Sequence, residues 1–186
     1  MTIWRGEFFA FTGDKYGRIR DYNILSQDGG SQASHFFQYF PGDIDALYEA
    51  PITYKLLMFK GPSYYVYDGL MLESGPNPIT DLDPSLPSDL DAVVSWFVYG
   101  KTYFFKDELV WRFDEETQRV DSGWPYRIDQ VWWGLPNKVT GAWHDEEQYL
   151  TYFLSGKDYY RYDDIYAEVE LDLYPRDFVA DFFGCF

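Results

Sequence analysis

GKTYFFKDELVWRFD, residues 100–114, places Tyr103, Phe104 and Phe105 before a charged tip and Trp111 and Phe113 after it. The alternation is that of a strand, with Tyr103 and Phe105 on one face and Thr102 and Phe104 on the other. Polarity reverses at Lys106, Asp107 and Glu108, then the apolar pattern resumes through Val110, Trp111, Arg112 and Phe113. This predicts a β-hairpin with a tight, solvated tip. A lone hairpin cannot bury that much aromatic surface, so neighbours must cover it.

The outline recurs. KLLMFKGPSYYVYD (55–68) and YLTYFLSGKDYYRYD (149–163) repeat strand, polar turn, aromatic strand and Asp, and GEFFAFTGDKYGRIRD (6–21) has the same outline. In each unit an apolar anchor is followed six positions later by an outer-strand residue: Phe11 to Gly17, Phe59 to Tyr65, Phe105 to Trp111, Leu154 to Tyr160. Ahead of three hairpins stand PGDIDALY (41–48), PSDLDAVV (87–94) and PNKVTGAW (136–143), in which Asp45, Asp91 and Thr140 each lie 14 residues before the anchor. After them come SGPNPI (74–79), SGWPYRI (122–128) and DLYPRDF (172–178), each with a proline at a turn or helix start. The Asp-Ala signals are spaced by 46 and 49 residues, the length of one β-propeller blade. The expected fold is all-β, a four-bladed β-propeller whose blades are four-stranded antiparallel sheets with short connecting helices. The blades are expected near 1–42, 43–88, 89–137 and 138–186. Facing blades bury both sides of the middle strands, which accounts for an aromatic content of 22%.

The balance of 15 basic against 31 acidic residues, a net charge of −16, excludes nucleic acid and anionic lipid surfaces as favoured partners. No apolar run reaches the roughly 18 residues of a membrane span, and MTIWRGEFF lacks the basic head and apolar centre of a signal peptide, so a soluble chain without membrane insertion is expected. Two histidines, His35 and His144, and no H-E-x-x-H pair leave no zinc protease site here. No G-x-S-x-G elbow, P-loop or Cys-His pair is present. The acidic runs Asp114-Glu115-Glu116 and Asp145-Glu146-Glu147 read as solvated turns. The chain is expected not to be an enzyme.

The order of Asp-Ala strand, GKTYFFK hairpin, WRFDE, G-W-P turn, short helix and G-L-P closure resembles the hemopexin-like domain that follows the catalytic domain in matrix metalloproteinases, over essentially the whole chain. The final FFGCF resembles the end of that domain, where a cysteine closes a disulfide to one just before the first blade. Arg5-Gly6-Glu7 matches the first hairpin of the family, while the preceding Asp and the earlier cysteine are not in the chain. Met1 is therefore expected to be internal to a longer precursor, about two residues beyond the missing Asp, with the partner of Cys185 upstream. The chain departs from the pattern at Gly17, where a large aromatic is usual, and at Thr140-Gly141 in place of Asp-Ala.

The resemblance implies a calcium ion, with sodium or chloride as companions, in the central channel. Its ligands would be the backbone carbonyls of Asp45, Asp91 and Thr140, with Leu47, Val93 and Ala142 lining the next layer; an ordinary turn-capping role for Asp45 and Asp91 is the alternative. It further implies that Trp4-Arg5 and Phe36 meet the collagen triple helix, the alternative being that Trp4 packs on its own sheet. The function implied is a non-catalytic recognition module of an extracellular metalloproteinase, secreted or tethered at the cell surface. Its partners would be matrix proteins such as collagen and tissue inhibitors of metalloproteinases, with a homodimer through the propeller rims also in keeping with the family. A haem-carrying propeller and a vitronectin-like adhesion propeller are the competing readings.

Overall fold

The hairpin at 100–114 forms as read. In the computed structural model, which describes residues 1–4, 7–19 and 30–183, Lys101–Lys106 pairs antiparallel with Leu109–Asp114, from Lys101↔Asp114 to Lys106↔Leu109. Asp107 and Glu108 form the exposed tip. Asp107 has φ 51°, and Gly13, Gly61 and Gly156 hold the same turn position in the other hairpins at 57°, 54° and 65°. That left-handed region costs glycine nothing, and Asp enters it more readily than most residues. The other hairpins are Glu7–Thr12 with Lys15–Ile19, Leu56–Lys60 with Ser63–Asp68, and Leu150–Ser155 with Asp158–Asp163.

Each hairpin is the middle of one of four antiparallel sheets. The inner strands are Thr2–Trp4, Ala46–Glu49, Ala92–Trp96 and Gly141–Asp145; the outer ones are Ser31–Gln32, Met71–Pro78, Arg119–Val120 and Glu168–Val169. Blades three and four add a two-residue strand each, Tyr126–Arg127 and Arg176–Asp177, paired with the third strand. The three proline signals resolve into cis peptides at Gly75-Pro76, Trp124-Pro125 and Tyr174-Pro175. A helical turn follows each: Ile79–Asp81, Ile128–Val131 and Phe178–Phe183.

Inner strands neighbour one another in the order first, second, third, fourth and back to first, so the ring closes. Its core is four seams rather than one centre. Between blades one and two, Trp4, Phe9 and Phe37 meet Leu47, Met58 and Tyr67. Between two and three, Tyr48 and Phe59 meet Val93, Phe104 and Phe113. Between three and four, Tyr103, Phe105 and Trp132 meet Ala142, Phe153 and Tyr162. The last seam sets Trp143, Tyr152, Phe178 and Phe182 against Met1, Ile3 and Phe8.

The period of two along a strand explains why both of its faces are apolar: Tyr103 and Phe105 enter one seam, Phe104 the opposite one. At roughly 25 cal/mol per Å² of apolar surface removed from water, these seams supply the main driving force for folding. Two buried carboxylates pin the seams. The Thr102 hydroxyl donates to Glu115 Oε1 at 2.6 Å, and the Tyr48 hydroxyl reaches the same carboxylate from blade two. One repeat later, Thr151 donates to Asp164 Oδ1 at 2.8 Å and accepts from the Trp96 indole N–H of blade three at 2.9 Å. Glu115 is only 4% exposed, which corrects the reading of Asp114-Glu115-Glu116 as a wholly solvated turn. Blade four's hairpin brings Thr151 and Asp164 together as blade three's brings Thr102 and Glu115.

Candidate functional site

The axis of the ring is bounded by the inner strands. At their N-terminal end stand the corners at Asp45, Asp91 and Thr140. The backbone N–H groups of Asp45, Asp91 and Thr140 donate to the carbonyls of Phe59, Phe105 and Leu154, the three anchors, at 2.8, 2.9 and 2.7 Å. Their side chains serve the hairpin tips: Asp45 Oδ2 accepts from the Gly61 N–H and Asp91 Oδ2 from the Asp107 N–H, both at 2.6 Å, and Thr140 Oγ1 accepts from the Gly156 N–H at 3.3 Å. The carboxylates therefore cap turns. Among the described residues, no group of three or more His, Cys, Asp or Glu side chains is placed to hold a metal.

Leu47, Val93 and Ala142 lie in register across from Met58, Phe104 and Phe153. They are buried, with their side chains in successive seams. The β-ladder of blade one, Thr2↔Phe9 to Trp4↔Glu7, places Met1 one step beyond, opposite Ala10, at the fourth position of this layer.

At the C-terminal end of the inner strands the axis opens into a cavity of about 630 Å³. Its floor is Thr2, Val93, Ser95 and Ala142, and its rim comes from the first turns of blades two, three and four: Tyr54, Phe97, Glu146 and Glu147. Glu49 and Asp145 also line it, with no Lys or Arg among the described residues. The first turn of blade four is capped by Asp145 Oδ1, which accepts the N–H groups of Glu147 and Gln148, both at 3.1 Å. The run Asp145-Glu146-Glu147 is thus the turn expected, and it also acidifies the channel mouth. His144 sits in the wall with Nε2 at 2.9 Å from Asp164 Oδ2, an ion-pair distance without hydrogen-bond alignment.

The expected partner residues divide. Trp4 and Phe36 come together, with ring centroids 6.5 Å apart. Trp4, however, is 4% exposed and packed on Phe9 and Phe37, so its ring belongs to the seam between blades one and two. This corrects the view of Trp4 as a surface contact: residues alternate along the inner strand, and Trp4 points inward between blades. Phe36 is half-buried and stacks on Tyr16 at 5.0 Å. Arg5 and Cys185 lie outside the described residues.

The family profile described as Hemopexin matches residues 44–88 and 90–137, half of the chain. Stromelysin-3 of Xenopus laevis is 35% identical over 190 aligned residues, covering 100% of this chain and 38% of that protein. Matrix metalloproteinase-18 of Xenopus laevis is 35% identical over 164 residues, covering 87% of this chain and 34% of that protein. The chain thus spans about a third of the length of these relatives. In fold it is similar to the hemopexin fold protein CP4 from cow pea, with a TM-score of 0.80 at 14% identity, over 95% of this chain and 90% of that one.

Proposed function

The chain belongs to the hemopexin family, and from that premise we propose that it is the non-catalytic recognition module of a zinc metalloproteinase acting outside the cell. In this reading it holds a matrix protein such as collagen, or a tissue inhibitor of metalloproteinases, against its parent enzyme. The observation that carries the proposal is the similarity to two matrix metalloproteinases along most or all of the chain. The architecture agrees with it: the buried apolar residues are committed to four seams, and what remains for a ligand is the outer surface and the axis. Among the described residues no helix is long and apolar enough to cross a membrane.

A calcium ion held by the Asp45, Asp91 and Thr140 carbonyls belongs to the same proposal, as a brace for the ring rather than a reaction centre. Haem carriage draws no support from the histidines, because His144 faces Asp164 in the channel wall and only His35 is exposed.

The test is retention of the purified chain on immobilised triple-helical collagen and on immobilised tissue inhibitors, with heat-denatured collagen as a control. Saturable retention on at least one native partner is expected. Arg5→Ala is expected to weaken collagen retention. Passage through every column unretained at about 10 μM, a weak affinity for a specific protein pair, would overturn the proposal.

A further inference from the structure

We infer that the C-terminal mouth of the channel is a docking surface for a basic, apolar-flanked segment of a partner protein, with a lysine or arginine side chain entering the cavity. This rests on the reading of the chain as a recognition module and locates a site that the resemblance did not mark. The first turns of blades two and three carry Tyr54, Val98 and Tyr99, which are 64%, 70% and 68% exposed. Turn tips are ordinarily polar, and these side chains bury little in the protein itself. The Tyr54 and Phe97 rings lie 5.6 Å apart, so the two turns form one continuous apolar rim.

Beneath the rim the cavity of about 630 Å³ is lined by Asp145, Glu146 and Glu147, with no Lys or Arg among the described residues. Glu146 and Glu147 are exposed, and no ion pair joins either to a basic side chain among the described residues. Carboxylates around a low-dielectric pocket focus a negative potential into it, and a cation entering on a protein side chain neutralises that potential.

The chemistry selects the occupant. A second copy of this chain would bring the same acidic mouth face to face with itself, and each copy carries a net charge of −16. A nucleic acid is repelled for the same reason. A small free cation could satisfy the carboxylates and would leave the apolar rim uncovered. A polypeptide segment with a basic residue beside leucine or an aromatic side chain meets both demands, and such pairs make effective interface anchors.

The experiment is selection from a random-peptide phage library on the immobilised chain, followed by calorimetry with the synthetic consensus peptide. Enrichment of sequences with Lys or Arg beside large apolar residues is expected. Binding should weaken about tenfold in Glu146→Gln/Glu147→Gln and about tenfold in Tyr54→Ser/Val98→Ser, both variants keeping the parent circular dichroism spectrum. Spermidine alone should bind far more weakly than the peptide. A consensus without a basic residue, no enrichment, or equal binding to parent and both variants would each overturn the inference. In the last case recognition would lie elsewhere on the module, and the collagen and inhibitor columns would still decide the general reading.

Discussion

Adjacent tryptophans offer a sharp test of the seam architecture. In WWGLP, Trp132 is 1% exposed and Trp133 66%. The helical turn Ile128–Val131 delivers Trp132, whose N–H donates to the Ile128 carbonyl at 2.8 Å. Its ring sits 4.7 Å from Tyr103, 5.3 Å from Phe105 and 5.3 Å from Phe153, joining two blade-three rings to one of blade four. A tryptophan of this kind removes roughly 200 Å² from water, an upper estimate of about 5 kcal/mol. Truncation to alanine leaves a cavity in a packed seam and costs about 3–5 kcal/mol. A domain of this size has about 5–15 kcal/mol in total, so Trp132→Ala stands near the limit of folding. In urea, with a slope of about 2 kcal/mol per molar, a loss of about 4 kcal/mol moves the midpoint down by about 2 M. Trp133→Ala should move it by less than about 0.3 M, as an exposed substitution costs within about 0.5 kcal/mol. Far-ultraviolet circular dichroism follows both without relying on tryptophan emission. Equal shifts for the two variants, or a shift below about 0.5 M for Trp132→Ala, would refute the claim that the seams carry the stability.

Two further outcomes follow from the polar pins and the axis. Burial raises the Glu115 carboxyl above its ordinary 4.5, so the folded state favours the protonated form; this contribution is complete below pH 4.5 and is lost as pH rises through the folded value. Glu115→Gln keeps an acceptor for Thr102 and Tyr48 without that loss, so its urea midpoint should gain on the parent as pH rises from about 4 to 7; a constant difference would refute the assignment. If calcium binds the corner carbonyls with an affinity near millimolar, about 10 mM should raise stability by about 1–3 kcal/mol, read as a melting shift of several degrees. Thr140→Ala should retain that shift because its ligand is main chain, whereas a parent chain indifferent to calcium would remove the ion from the account.

The hairpins and their spacing were legible because their determinants are local. Alternation, a left-handed turn residue and an anchor at a fixed offset all lie within one unit, and the pairing of Phe104 with Trp111 follows from them. The offset of 14 residues marked Asp45, Asp91 and Thr140 as equivalent, and their matching hydrogen bonds show that they are. What stayed hidden depends on other blades. Glu115 looked like one carboxylate in a turn, yet its burial requires Tyr48 from the preceding blade. Trp4 beside Arg5 looked like a surface anchor, yet Phe37 and the residues of blade two close over it. The acidic mouth was equally hidden, since Glu49 and Glu147 are far apart in sequence and line one cavity only once the ring closes.

This division between local and cross-blade determinants also bears on where recognition can reside. Every inner and second strand supplies side chains to two seams, so a substitution there is felt by two blades at once. The turns at the channel mouth contribute far less: Val98, 70% exposed, could be exchanged with little effect on packing. Stability therefore does not explain why apolar residues occupy these turns around a carboxylate-rich pocket. Solubility does not explain it either, because exposed apolar rims favour association. An interaction made at the mouth accounts for both features, which is why variants of the rim and of its carboxylates should change binding while leaving the urea midpoint in place.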